Sequence, residues 1–349
     1  MMTDLKLEPY DLRTVPDGLA ALLTDLFNVI DAERVPTDPP KTLETNLNDW
    51  RNLPEHITVT GYAILNPDGT AVVAAGDVAT WQAKENQHLA EMHISVHPAS
   101  RREGLASLLL EKLVPLARAA GRTSVIGSTM ATVPSGAEFM KAIGAKPGLV
   151  AHLNQMDLND LDRPLLEGWI ARAPERAADY ELVYQFGPYP EDWLEPMRHV
   201  KMIMNTAPRG ELDVEDEEVT MDQMLAWEAH LKARGGDRWT IVARHKPTGD
   251  WVGFTELVWF KDKPNIIQQW GTGVHPAHRD RGLGRWLKAA NLLRVLDEKP
   301  GLRYVRTGNA DSNKPMLGIN YTMGFKPFIA ATDWQVGLDT LEAYLKARN

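Results

Sequence analysis

Ile94-Ser95-Val96-His97-Pro98-Ala99-Ser100-Arg101-Arg102-Glu103-Gly104-Leu105-Ala106 and Thr272-Gly273-Val274-His275-Pro276-Ala277-His278-Arg279-Asp280-Arg281-Gly282-Leu283-Gly284 are two copies of one pattern. Val-His-Pro-Ala-x-Arg-x-x-Gly-Leu-small recurs without a gap, and Arg279 stands 178 residues after Arg101. A period that long marks a duplicated domain rather than a solenoid unit. The surroundings repeat as well. Two strand-like runs precede each copy, Ile57 to Leu65 and Ala71 to Trp81 in the first half, Arg238 to Arg244 and Trp251 to Phe260 in the second. Asn66-Pro67-Asp68-Gly69 is a strong hairpin turn between the first two. An amphipathic helix follows each copy: Gly104 to Ala120, with Leu105, Leu108, Leu109, Leu113 and Leu116 on one face, and Gly282 to Leu296, with Leu283, Trp286, Leu287, Leu292 and Leu293. Next come a short strand (Thr123 to Ser128, Arg303 to Thr307), a second helix ending at Gly144 or Gly324, and a last strand (Val150 to Leu158, Phe328 to Val336).

The expected organisation is therefore a domain over 1–158, a polar and partly helical linker over 159–179, and a second domain over 180–349. Tyr180 to Phe186 opens the second domain as a strand, and Glu191 to Asn205 and Met221 to Ala233 are its early helices. The acidic run Glu211 to Glu218 is expected to be a solvated loop.

Composition narrows the function. A net charge of −9 argues against nucleic acid, whose phosphates require clustered Lys and Arg, and tolerates a cationic substrate. With no cysteine there is no disulfide, thiolate metal site or cysteine nucleophile, and the expected location is the cytoplasm. Met1 to Lys6 shows no secretory leader, and no apolar run is long enough to span a bilayer. No His, Asp and Glu set has metal spacing, and no Gly-x-Ser-x-Gly elbow is present.

The repeated motif places a strand end, a turn and a glycine-opened helix in succession. Unpaired N–H groups and the partial positive charge of a helix start form a phosphate cradle where glycine lets the backbone come close. The Gly-Lys-Ser/Thr of a nucleotide P-loop is missing, as is the third glycine of a dinucleotide fingerprint. Arg-x-x-Gly-x-Gly/Ala after a strand ending in Val-x-Pro resembles the acyl-CoA pyrophosphate signature of the GNAT acetyltransferases. The resemblance covers nearly the whole chain as two copies, similar in layout to the tandem actinobacterial members that include mycothiol synthase. It implies an α/β protein of two fused GNAT-like domains, each a mixed, largely antiparallel sheet flanked by helices and opened by a V between its central strands. It further implies acetyl-CoA as donor, with no metal. The pyrophosphate would lie on Arg279, Asp280, Arg281, Gly282, Leu283, Gly284 and Arg285 in the second half, and on Arg101, Arg102, Glu103, Gly104, Leu105, Ala106 and Ser107 in the first. The pantetheine arm would run near Gly273, Val274 and His275, or near Ser95, Val96 and His97, with Asn309 and Asn313 as further cofactor contacts.

In many relatives the helix after the fifth strand reads Asn-x-x-Ala-x-x-x-Tyr-x-x-x-Gly-Phe, its Tyr hydroxyl near the thioester sulfur. Here Asn313 fits the Asn, Asn320 falls in the Tyr slot, and Tyr321 is one residue later, about 100° around the helix. An amide donates a hydrogen bond but is no ordinary acid. The first half holds Val133 and Met140 in those slots, so the second half is the expected seat of catalysis. Glu256 on its third strand is a possible water-mediated base, with a strand-face salt bridge as the plainer reading. Glu91, which shares a strand face with His93, takes the base role if the first half is active. His278 beside Arg279 either orients the loop or contacts phosphate. The expected reaction is direct acetyl transfer to a primary amine of a small molecule, by a monomer or homodimer. A non-catalytic acyl-CoA sensor, a protein lysine or N-terminal acetyltransferase, and a scaffold built on duplicated domains stay open.

Overall fold

The computed structural model describes residues 5–348. The reading of Met1 to Lys6 as free of a leader therefore lies mostly outside the described residues. The first half of the chain forms β1 (Lys6–Asp11), α1 (Asp17–Arg34), α2 (Leu43–Arg51), β2 (Ile57–Leu65), β3 (Val72–Trp81), β4 (Leu89–Val96), α3 (Leu105–Ala119), β5 (Ser124–Met130), α4 (Pro134–Ala142) and β6 (Lys146–Asp157). The second forms α5 (Arg163–Ala177), β7 (Tyr180–Phe186), α6 (Glu191–Lys201), α7 (Met221–Ala233), β8 (Gly236–His245), β9 (Trp251–Phe260), β10 (Ile266–Val274), α8 (Leu283–Glu298), β11 (Tyr304–Ala310), α9 (Lys314–Met323), β12 (Lys326–Gly337) and α10 (Leu338–Arg348).

The chain makes two compact units. One is Met1–Val150 with Arg209–Glu215 and Ile329–Asn349; the other is Ala151–Pro208 with Asp216–Phe328. This differs from a simple cut between 158 and 180. In the first unit the strands run β1-β2-β3-β4-β5-β12; in the second they run β6-β11-β10-β9-β8-β7. Every pairing within each unit is antiparallel except β4 with β5 and β10 with β11. The sixth strand of each unit comes from the other half of the sequence. β12 pairs with β5 from Ala331↔Met130 to Gly337↔Ser124, and β6 pairs with β11 from Ala151↔Ala310 to Asp157↔Tyr304.

In the first unit α3 covers one sheet face and α1 the other. The buried stripe of α3 is Leu105, Leu109, Leu110, Leu113, Val114 and Ala117, while Leu108 and Leu116 are only partly covered. The stripe is centred about a residue away from the one read in the sequence, because the neighbouring i, i+4 rows carry Leu110, Val114 and Ala117. Trp334, Val336, Leu338 and Leu341 from the end of the chain close this core. Residues 209–215 also pack here. Asn86 N donates to Glu215 Oε2 at 2.6 Å and Glu215 N to Asn86 Oδ1 at 2.8 Å, so part of the acidic run is anchored rather than simply solvated.

In the second unit α8 covers one face, and α6 with α7 the other. The segment 159–179, expected as a linker, is instead occupied mainly by α5. Asp162 caps it by accepting from Leu165 N at 2.9 Å, and Leu166, Trp169, Ala173 and Ala177 are buried. These apolar positions follow the helical period and pack against α8, so the segment belongs to the core.

Candidate active site

The two repeated motifs fold alike. Gly104 and Gly282 stand before the first helical residue at φ 86° and 79°, a left-handed conformation that glycine adopts without steric cost. Two residues earlier Arg102 and Asp280 are also left-handed, at φ 68° and 63°. Arg101 Nε donates to Val96 O at 3.2 Å, and Arg279 Nε to Val274 O at 3.0 Å, so each motif arginine ties the loop back to its strand end. His97 and His275 accept from the backbone of Ala99 and Ala277, which makes both imidazoles loop-shaping groups. His278 is bonded to the Tyr180 hydroxyl at 2.8 Å; burial, then the His245, His275 and Arg281 charges, lower its pKa. Leu105 and Leu283 are buried at the helix starts, and Ser107 is bonded to Tyr344 and Arg348 of α10. Arg281 and Arg285 lie over the rings of Tyr180 and Trp169. Gly284 packs tightly, since an added Cβ would stand 3.2 Å from Ile319.

Beside each cradle the parallel pair parts. β4 and β5 pair only from Leu89↔Ser124 to Glu91↔Ile126. β10 and β11 pair only from Ile266↔Tyr304 to Gln268↔Arg306, after which β10 bulges between Gln269 and Thr272. Beyond the split, the inner edges of β4 and β10 present backbone N–H and C=O groups to a cleft instead of a strand, and such groups need partners. In the first unit the cleft measures ≈ 460 Å³ and runs from Arg102, Gly104 and Ser107 past Val96 and Ser95 to His93 and Gly127. Glu103 and Glu91 do not line it.

At the apex of that cleft lies a row of side chains that sequence reading did not assemble. Tyr10 pairs with Gly61, Gly61 with Asp77, and Asp77 with His93, straight across four strands. Tyr10 donates to Asp77 Oδ2 at 3.1 Å, and His93 Nδ1 stands 2.9 Å from Asp77 Oδ1. A Cβ on Gly61 would stand 2.7 Å from Asp77 Cα, so only glycine fits where Tyr10 reaches its carboxylate. The hydrogen bond to Asp77 raises the His93 pKa against the lowering effect of burial. Burial, then the Asp77 charge, hold the Tyr10 phenol well above its ordinary value, so it stays protonated.

The second unit has a related but differently occupied arrangement. Glu256 accepts from the Tyr189 hydroxyl and from Lys201 Nζ at 2.6 Å, with Arg238 Nε 3.9 Å away. Arg238 in turn holds Glu228 at 2.6 Å. Burial pushes the Glu256 pKa up, but the Lys201 and Arg238 charges more than reverse this and leave it lowered. Glu256 is thus a carboxylate held within an ion-pair network. Glu256, Lys201, Arg238 and Glu228 line a cavity of ≈ 550 Å³ walled by α6, α7 and the turn after α6, with Trp227, Phe254, Met224 and, at the β10 bulge, Trp270 and Gly271. The sequence signal for this floor was faint, because Lys201, Glu228, Arg238 and Glu256 come from separate elements without a common motif.

Asn320 and Tyr321 lie away from that cavity. Asn320 is fully buried, and its amide donates to Asn309 Oδ1 at 2.7 Å. Tyr321 is 45% exposed, as expected for a residue turned about 100° from its neighbour. Asn313 caps α9 by accepting from Met316 N at 3.4 Å. Among the described residues no group of three His, Cys, Asp or Glu could hold a metal, and no helix is long and apolar enough to cross a membrane.

A cradle of unpaired N–H groups joined to a split sheet suits a ligand with a diphosphate head and a thin amide-bearing arm, the shape of an acyl-coenzyme A. Such a cradle beside a split strand pair, repeated in both units, is the frame of an acyltransferase fold. The chain belongs to the acetyltransferase (GNAT) family: the family's profile matches residues 23–142 and 200–325, one segment in each half. Enzymes of this family generally use acetyl-CoA. The fold resembles that of a tandem GNAT protein from the clavulanic acid biosynthesis pathway, with 25% identity, a TM-score of 0.77, and coverage of 96% of this chain and 98% of that one. A GCN5-related N-acetyltransferase from Sphaerobacter thermophilus shares the fold at 16% identity and TM-score 0.66, with 96% of each chain covered. A probable N-acyltransferase from Enterococcus faecalis V583 does so at 10% identity and TM-score 0.55, covering 97% of this chain and 74% of that one. No curated protein matches the sequence significantly.

Proposed function

We propose that the protein transfers an acetyl group from acetyl-CoA directly to the primary amine of a small molecule, and that the second unit carries this transfer. The observation that supports it is the ≈ 550 Å³ cavity ending on Trp270 and Gly271, where β10 leaves β11. A thioester lying in the split would present its carbonyl there. An amine held by Trp227, Phe254 and Trp270 would meet it from the α6–α7 side. The walls formed by α6 and α7 favour a small acceptor over an extended peptide. Glu256, Glu228, Lys201 and Arg238 are all paired, so the floor contributes fixed geometry rather than an acid or base. Holding two reactants in attack geometry is worth up to roughly 7–11 kcal/mol of barrier. The ammonium loses one proton to water, the freed nitrogen lone pair forms the C–N bond, and the C–S bond breaks with its electron pair on sulfur, which takes the second nitrogen proton.

The test is calorimetric titration of acetyl-CoA into wild type, Gly104→Glu and Gly282→Glu, followed by release of the CoA thiol with amines that lack a carboxylate. A Cβ at Gly282 meets nothing within 4 Å, so the glutamate acts on the ligand, at a backbone cost of about 1–3 kcal/mol for the left-handed φ. Gly282→Glu should remove one binding site and transfer to these amines. Transfer that survives Gly282→Glu and disappears in Gly104→Glu would move the reaction to the first unit. Absence of acetyl-CoA binding to wild type would overturn the reading entirely.

A further inference from the structure

The first unit contains what the second lacks, a base with an open nitrogen at the apex of its cleft. Because the Asp77 carboxylate only accepts hydrogen bonds, the proton of the His93–Asp77 contact sits on Nδ1, and Nε2 carries the lone pair. The His93 side chain is 52% exposed and lines the cleft, two residues past Glu91, the last β4 residue paired with β5. Asp77 is itself only 9% exposed and is held from behind by Tyr10, so the imidazole is fixed in tautomer and direction. Arg34, the last residue of α1, lines the same cleft. Its charge is felt by His93, and its nearest carboxylate, Asp31, is 3.8 Å away at the edge of ion-pair range. The neighbouring Arg101, by contrast, is bonded to Glu33 at 3.1 Å and to Val96 O, and so belongs to the cradle.

We propose that the first unit is a second acyl-transfer site whose acceptor is a small amino acid-like molecule, with Arg34 receiving the carboxylate and His93, oriented by Asp77 and Tyr10, taking the ammonium proton. The proposal rests on the acyl-CoA reading for its donor but not on transfer in the second unit. The ammonium of the acceptor loses one proton to His93 Nε2, which passes it to solvent. The freed nitrogen lone pair forms the bond to the thioester carbonyl carbon. The C–S bond then breaks with its electron pair on sulfur, and the second nitrogen proton goes to that sulfur. The products are an N-acyl amino acid, CoA thiol and one proton. The charged groups around His93 are Asp77 on β3, Glu91 on its own strand and Arg34 on α1, with the neutral Tyr10 phenol on β1 behind Asp77. A base with a raised pKa makes activity climb with pH through that value, so Asp77→Asn should move the acid limb of the kcat/KM profile to lower pH.

The experiment uses the full chain carrying Gly282→Glu, which silences the second cradle. CoA thiol release is followed with glycine, β-alanine, γ-aminobutyrate and the common α-amino acids against matched alkylamines without the carboxylate. At least one amino carboxylate should be acetylated in this background. Arg34→Gln should raise KM for it about tenfold or more, well beyond any change in KM for the matched alkylamine, as expected for a lost charge-assisted contact. His93→Gln should lower kcat/KM by roughly 10²–10⁴, the usual span of general-base catalysis, with acetyl-CoA affinity unaltered by calorimetry. If the Gly282→Glu chain binds acetyl-CoA and acetylates none of these acceptors, or if His93→Gln leaves the rate intact, the proposal is overturned. If it binds no acetyl-CoA, while wild type binds one equivalent that Gly104→Glu leaves in place, the first cleft is not a donor site and the proposal fails for that reason. Loss of all acetyl-CoA binding in wild type would instead strike the acyl-CoA reading.

Discussion

Replacing Lys288 by Met should stabilise the second unit at neutral pH. Lys288 is on the face of α8 turned into the sheet and is 1% exposed. Its Nζ has the Phe325 ring 5.5 Å away, and no carboxylate pairs with it among the described residues. Burial lowers its pKa from 10.5 to about 7. The sign follows from proton linkage. Between pH 7 and 10.5 the unfolded chain keeps this lysine protonated while the folded chain does not, so stability rises with pH across that window. At about 1.4 kcal/mol per pKa unit, the penalty at pH 7 is on the order of 4 kcal/mol, falling to roughly 1–1.5 kcal/mol by pH 9.5. Methionine has a similar length and flexibility and no charge to desolvate. Urea unfolding of wild type and Lys288→Met, read at pH 7 and pH 9.5, checks this. The variant should be more stable by about 4 kcal/mol at pH 7, with the advantage shrinking by more than half at pH 9.5. Equal stability at pH 7, or parallel pH dependences, would refute the reasoning and show that the lysine charge is solvated or paired in the folded protein.

Two further outcomes follow from the fold. A fragment of residues 1–158 should fail to form a native first unit, because β12 and α10 are absent. Fragment and full chain compared by amide hydrogen exchange should show β5 and α3 protected only in the full chain, and native-like protection in the fragment would contradict this. Gly61→Ala should destabilise the first unit by about 1–3 kcal/mol, the usual cost of overpacking, since its Cβ would collide with Asp77 and the backbone of Gly76. Thermal unfolding measures the loss, and loss of the His93 titration shift in the same variant would show that the Tyr10–Gly61–Asp77–His93 row acts as a unit.

The amino-acid sequence by itself determined the duplication, the strand–loop–helix cradle and its glycines, because these depend on contiguous residues and on backbone needs only certain residue types meet. Strand β2, strand β7, strand β9 and helix α7 fall on the ranges read from hydrophobic periodicity and turn residues. Tertiary structure alone decided which half completes which sheet. The apolar alternation of β6 and β12 suits either unit, and the choice rests on pairings with β11 and β5 more than a hundred residues away in sequence. The same holds for α5, whose buried Trp169 and Leu166 acquire meaning only against α8. The two carboxylates on the third strand of each unit were equally opaque. Asp77 positions an imidazole and Glu256 closes an ion-pair network, and the difference lies in partners brought from distant elements, His93 in one case and Lys201 with Arg238 in the other. A side chain's chemistry is set by the charges and hydrogen bonds within a few ångströms of it, and those neighbours exist only once the strands have paired.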